Sequence, residues 1–228
     1  MTTSNGMLSD TYTGILRDDE ARALYAAGDA AHDFDHVWRV TTLAIRLAQS
    51  EGAHVGVVRL AALLHDVPVP EPQSDAHSLR RGHHIAAAAY ARDLLISRGL
   101  GTEAVENVVH CIEAHRFRDQ SVQPQTIEAK CLYDADKLDS IGAIGIGRAF
   151  AFAGAYHNRL WTEPWTQVPP DDSKPNGENY TPVHEYVYKL RRILDTLHTD
   201  SARRIGLERH RFMCDFFDQL DAEIAGVR

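Results

Sequence analysis

Four short segments gather the residues that could do chemistry. HDFDHVWRV carries His32, Asp33, Asp35 and His36, and LAALLHDVP ends an apolar run with His65 and Asp66. RRGHHIAAAAYA carries His83 and His84, and EAKCLYDADKLDSIGAIGIG places Asp134, Asp136, Lys137 and Asp139 within one stretch. Val57 to Leu64 is apolar nearly all round, which predicts a buried helix. A carboxylate beside an imidazole on a buried helix is costly unless it is paired or metal-bound. Asp136 poses the same problem, because its helix runs on as the almost chargeless SIGAIGIGRAFAFAGA. One divalent cation answers both. Two imidazoles and two carboxylates form a mixed nitrogen and oxygen site whose two negative charges balance the ion, a donor set that suits Mn, Fe, Co, Ni or Mg rather than a closed thiolate zinc site. Four protein ligands in an octahedral shell leave two positions for water and a phosphoryl oxygen, where the ion would lower the pKa of the water and draw charge off the phosphate. Spacing alone leaves His32 beside His36, and Asp134 and Asp139 beside Asp136, as alternative ligands.

The elements that must position these residues are helical. Helical periodicity dominates and no alternating strand stands out, so an all-α fold is expected. Helices are predicted near 17–28, 36–51, 54–66, 82–98, 102–115, 125–153, 180–198 and 200–225. Asp33 or Asp35 could cap the helix holding His36, and Pro68, Pro70 and Pro72 stop the segment RLAALLHD. From His157 to Asn179 the composition changes to TEPWTQVPPDDSKPNGEN, read as a long loop, either a lid or contact surface, or a connector. In the last helix Ile205, Phe212, Met213, Phe216, Leu220 and Ile224 fall at helical spacing, as a core stripe or a dimer seam. The 228 residues are read as a single domain, with a core over about 17–155, the loop, and C-terminal helices over 180–225 packed on it.

With 44% hydrophobic and 25% charged residues the chain has the balance of a globular protein. A net charge of −8 argues against a broad grip on duplex nucleic acid, while a small anion remains compatible with a local metal or arginine cluster. No apolar run approaches the roughly 20 residues of a membrane span, and the polar start MTTSNGMLSDTYTG has no export signal. The 3 cysteines, Cys111, Cys131 and Cys214, lack metal-type spacing and read as thiols in a reducing compartment. A cytoplasmic protein, with a homodimer as an option, is the expectation.

The order His36, His65–Asp66, Asp136 resembles the H…HD…D pattern of the HD superfamily of metal-dependent phosphohydrolases, and most closely a bacterial single-domain branch. The matching strings are HDFDHVWRV, LLHD and EAKCLYDADKLDSIGAIGIGRAF, continuing through FAGAYHNRL into the C-terminal helices. The resemblance implies an HD-domain helical bundle with a central metal site, Mn favoured. It assigns His36 rather than His32 as first ligand, His65 and Asp66 as the doublet, and Asp136 rather than Asp134 or Asp139 as last ligand. It also implies a small phosphorylated substrate, above all a nucleotide.

In HD branches with two metals, extra histidines lie between the doublet and the last Asp. His84 and His115 occupy that interval here and are read as second-metal ligands, phosphate binders or general acid, with His83 ranked behind His84. His115 shares a helical face with Val105, Val108 and Ile112, and so points inward, unlike His110. Lys137, Arg39 and Arg148 are candidate phosphate contacts, with Arg80 and Arg81 in the preceding loop. The doublet runs into Val67-Pro68-Val69-Pro70-Glu71-Pro72, so proton-transfer roles known from other branches do not carry over; Glu71 and Asp75 are loose candidates. The leading expectation is a phosphohydrolase acting on a nucleotide or other small phosphate ester or anhydride through metal-activated water. The alternatives are an HD-fold di-iron oxygenase and a non-catalytic nucleotide sensor.

Overall fold

The computed structural model describes residues 12–26, 34–69, 76–116, 122–169 and 174–228, and the side chains of 76–82 stand outside that description. Among the described residues every regular element is helical. The chain divides into two units, Met1–Asp136 and Lys137–Arg228.

The first unit is organised around the most apolar stretch of the sequence. Its helices are α1 (Asp18–Leu24), α2 (Phe34–Glu51), α3 (Val55–Leu64), α4 (Ala76–Ser97), α5 (Thr102–Ala114) and the start of α6 (Ile127–Asp139). Helix α3 packs against α1, α2, α4 and α5, and α4 packs against α5. Gly56 to Leu64 is buried without interruption, as a helix with no polar face must be. Arg59, inside that run, is neutralised by Asp18 and donates through Nη1 to the Leu16 carbonyl at 2.9 Å. Helix α2 buries Phe34, Val37, Thr41, Ala44 and Ala48 at helical spacing, and His36 shares that inner side. The His54 ring caps α3 by accepting the Val57 N–H at 3.3 Å. The His54 N–H in turn donates to Glu128 on α6 at 2.8 Å, which joins the start of α3 to α6.

The second unit contains the end of α6, α7 (Gly142–Ala155), α8 (Pro182–Tyr188), a 3-10 turn at Leu190–Thr196, and α9 (Asp200–Ile224). One helix predicted over 125–153 is in fact two. The chain breaks at Ser140–Ile141, where Gly142 takes φ +76°, and a Cβ added at Gly145 would overlap the Ser140 carbonyl. Only glycine permits this left-handed step followed by so close an approach. The helix predicted over 180–198 likewise gives way, after Tyr188, to the 3-10 turn.

The expected apolar stripe of α9 is rotated. Ala202, Gly206, Met213 and Phe217 are buried, whereas Phe212 and Ile224 are exposed. Phe217 takes the core position because Tyr186 of α8 stacks on it with centroids 4.2 Å apart. The described parts of the 157–179 loop are tied down. Trp161 Nε1 donates to Asp221 at 2.7 Å, the Trp165 backbone N–H to the same carboxylate at 3.0 Å, and Trp165 Nε1 to Asp218 at 2.8 Å.

Candidate metal centre

The ends of α3 and α5 are built alike. His65 and His115 are the C-caps of these helices. His65 Nδ1 lies 2.7 Å from the Ala62 carbonyl, and His115 Nδ1 lies 2.6 Å from that of Ile112. A carbonyl only accepts, so both Nδ1 atoms carry the proton. Each helix thereby satisfies one of its orphan carbonyls, and each ring is left with its Nε2 facing away from the helix.

Both Nε2 atoms face Asp66. His65 Nε2 is 3.6 Å from Asp66 Oδ2, and His115 Nε2 is 3.6 Å from Oδ1. His36 Nε2, from α2, stands 3.7 Å from Asp66 Oδ2 and 3.4 Å from Asp136 Oδ1 of α6. His83 Nε2, from α4, approaches Asp66 Oδ1 at 3.4 Å. Donors from α2, α3, α4 and α5 therefore converge on one carboxylate, which is the residue after α3's last cap. His65 Nε2 and Asp66 Oδ1 are buried with no hydrogen-bond partner among the described residues.

Burial pushes the Asp66 carboxyl up, but imidazolium charge on His65 and His115 and hydrogen bonds donated by His115 and His83 outweigh it and hold the group well below the usual carboxylate range. Burial lowers His65 to about 4, against the pull of Asp66, so its ring is neutral at ordinary pH. An ionised carboxylate ringed by imidazole nitrogens is the electrostatic image of a cation site. Ligands held about 2.1 Å from one ion and roughly a right angle apart are themselves about 3.0–3.5 Å apart, close to the separations seen. The donors form two groups compact enough to hold an ion: His36, His65 and Asp66, and Asp66, His83 and His115. A divalent cation fits these residues, and Asp66 belongs to both groups.

The sequence-derived candidates fall as follows. His36, His65, Asp66 and Asp136 meet in the first unit. His115 stands across Asp66 from them, and its ring centroid is 5.1 Å from that of His65. His84 is buried, with its ring 6.4 Å from His115. His83, ranked behind it, has the nitrogen that reaches Asp66; it sits at the more open edge, with 31% of its side chain exposed. The doublet RRGHH held that signal, but the choice depends on the rotation of α4. Arg39 is half-buried on α2, one turn after His36.

Lys137 is buried and opens the second unit, where Arg148 Nη1 pairs with Asp139 at 2.9 Å. Asp139 is thus occupied by a structural cation, and Asp134 is fully buried. His110, as expected, turns away from the cluster and accepts the Gln125 backbone N–H at 2.9 Å. Asp35 is exposed in the first turn of α2. His32, Asp33, Glu71 and Asp75, together with the side chains of Arg80 and Arg81, lie outside the described residues. Among the described residues no helix is long and apolar enough to cross a membrane.

Comparison with known proteins gives the family. The HD domain family matches residues 33–141. The chain is 35% identical over 202 residues to the uncharacterized protein YpgQ of Bacillus subtilis, covering 87% of each protein. The crystal structure of that YpgQ in complex with ADP superposes with a TM-score of 0.67 at 32% identity, over 92% of this chain and 99% of the other. An HD-superfamily hydrolase from Bacillus thuringiensis gives a TM-score of 0.68 at 28% identity, over 90% of this chain and 93% of the other.

Proposed function

The chain belongs to the HD superfamily of metal-dependent phosphohydrolases, and from that premise we propose that its substrate is a nucleotide or another small phosphate ester or anhydride. The single observation that carries the reading is the convergence of His36, His65, Asp66 and Asp136 about buried, unpartnered donor atoms. These four residues would hold a divalent cation; their mixed nitrogen and carboxylate chemistry suits Mn, Fe, Co, Ni or Mg, and of these we favour Mn. Such an ion supplies Lewis-acid polarisation of a phosphoryl oxygen and a lowered pKa for bound water.

The chain's own residues do the rest. Asp66 is kept ionised and brings full negative charge to the centre. His65 is kept neutral, with its tautomer fixed by the Ala62 carbonyl, so no proton must leave before it can coordinate. His115 is fixed in the same tautomer by Ile112. His83, whose side chain is partly open to solvent, would hold a phosphate oxygen or return a proton to a leaving group, with His84 beside it. The ADP complex of the Bacillus subtilis YpgQ supports a nucleotide over other phosphates.

The test is a screen of nucleoside mono-, di- and triphosphates and simple phosphate esters against Mn, Co, Ni, Fe and Mg, with product identification. Release of phosphate or pyrophosphate, lost in Asp66→Ala together with bound metal, is the expected result. Unchanged hydrolysis by a metal-free Asp66→Ala protein would refute it. A second group of donors, Asp66, His83 and His115, keeps a two-iron oxygenase in view. Two irons per chain with oxygen uptake, and no phosphate release, would favour that reading.

A further inference from the structure

The second unit contains a cavity of about 380 Å³ whose lining residues all belong to that unit. The volume falls within the roughly 300–1,000 Å³ of small-molecule sites. Trp165 of the loop, Tyr186 of α8, Arg191 and Asp195 of the 3-10 turn and His210 of α9 line it. Its aromatic walls are fixed and chemically spent. Trp165 gives its indole N–H to Asp218 and its backbone N–H to Asp221. Tyr186 meets Trp165 edge-on at 5.8 Å and stacks on Phe217, and its hydroxyl pairs with Cys214 Sγ at 3.3 Å. These rings offer the cavity flat apolar surface and no free polar atom, and Val187 and Leu194 extend that surface.

Two groups on the same cavity are not spent. The Arg191 guanidinium lies over the Trp165 ring, 5.3 Å from its centroid, and makes no hydrogen bond or ion pair among the described residues. His210 Nδ1 is buried with no hydrogen-bond partner among them. Stacking on an indole pre-orients a guanidinium, so its fork loses less freedom when it closes on an anion. A buried ring nitrogen left unmet carries a desolvation cost, which a turn of the ring toward the cavity and a ligand bound there would remove. The Asp195 carboxylate opposes a bare inorganic anion, and it would accept a hydrogen bond from a hydroxyl or amine of a larger molecule.

We propose that this cavity binds a small organic anion: a carboxylate or phosphate seated on Arg191 and His210, with a flat apolar body against Trp165, Tyr186, Val187 and Leu194. The site is independent of the metal centre and of its reaction.

The experiment is calorimetric titration of the EDTA-treated full chain with phenyl phosphate, benzoate and inorganic phosphate. Saturable binding of either aromatic anion below 1 mM (on the order of a small-ligand affinity) is expected, with inorganic phosphate at least about tenfold weaker. Arg191→Met and, separately, His210→Phe should each weaken the aromatic anion about tenfold or more, and Asp66→Asn should leave it unchanged. Circular dichroism and melting temperature establish that each variant is folded, and the two cavity variants report independently. Binding that survives both cavity variants, that is lost in Asp66→Asn, or that is no tighter than for inorganic phosphate would overturn the proposal, as would the absence of saturable binding. None of these outcomes depends on whether the chain hydrolyses nucleotides.

Discussion

Acid should weaken the metal-free protein through His65 in particular. The ring is fully buried, and burial takes its pKa from the ordinary 6.5 down to about 4. The folded state therefore refuses a proton that the unfolded chain accepts, and stability falls as pH drops below 6.5 until the folded ring itself titrates near 4. The gap of about 2.5 pH units, at about 1.4 kcal/mol for each, amounts to about 3 kcal/mol. Asp66 stays ionised through this window, because its folded-state value lies well below the ordinary 3.8. The comparison is with His65→Asn, whose amide can still donate to the Ala62 carbonyl that His65 Nδ1 meets at 2.7 Å but which has no titrating group. Urea midpoints of both EDTA-treated proteins from pH 7.5 to 4 give the two stability profiles. The wild-type curve should drop about 3 kcal/mol relative to the variant between pH 6.5 and 4, and run parallel to it above pH 7. Parallel curves throughout would refute a neutral buried imidazole at this position, and with it the ready-made ligand set.

Three other outcomes follow from named contacts. Mn²⁺ at about one hundred times its dissociation constant should stabilise the chain by about 2.7 kcal/mol. For this length that is a rise in melting temperature of about 5–10 °C, absent in Asp66→Ala; thermal shift with metal analysis reads both. Gly145→Ala forces a Cβ into the Ser140 carbonyl and should cost about 3 kcal/mol or more, measurable by chemical denaturation, whereas Gly154→Ala, with open space around it, should cost nothing. Burial raises the Cys111 thiol and pushes Cys131 up to about 12, so at pH 8 only about one Cys131 in ten thousand is thiolate. Thiol titration of the native protein should therefore label Cys214 alone, and the two buried thiols only on unfolding.

The legible part of the site was its most local part. His65–Asp66 stood out because a charged doublet ends a run with no polar face, and a helix buried all round leaves such a pair nowhere to go but inward. His115 was legible for a related reason, since its spacing from Ile112 and Val108 set the face of α5. The choice of His36 over His32, and of Asp136 over its acidic neighbours, came from resemblance to a family rather than from spacing. The structure puts Asp136 3.4 Å from His36 and gives Asp139 to Arg148 instead. His83 was ranked second because the sequence does not reveal the rotation of α4 about its axis.

The apolar pattern by itself determined an all-helical chain, a buried α3, and a cation-seeking doublet at its end, since burial free energy follows the local period of hydrophobic residues. Tertiary structure alone decided that α2, α4 and α5 bring their histidines to Asp66, the break at Ser140–Ile141, the rotated stripe of α9, and the cavity between Trp165 and His210. These depend on contacts between residues far apart in the chain. A helical repeat fixes which side of a helix is apolar, but only the neighbour that packs against it sets the final angle and the side chains it meets.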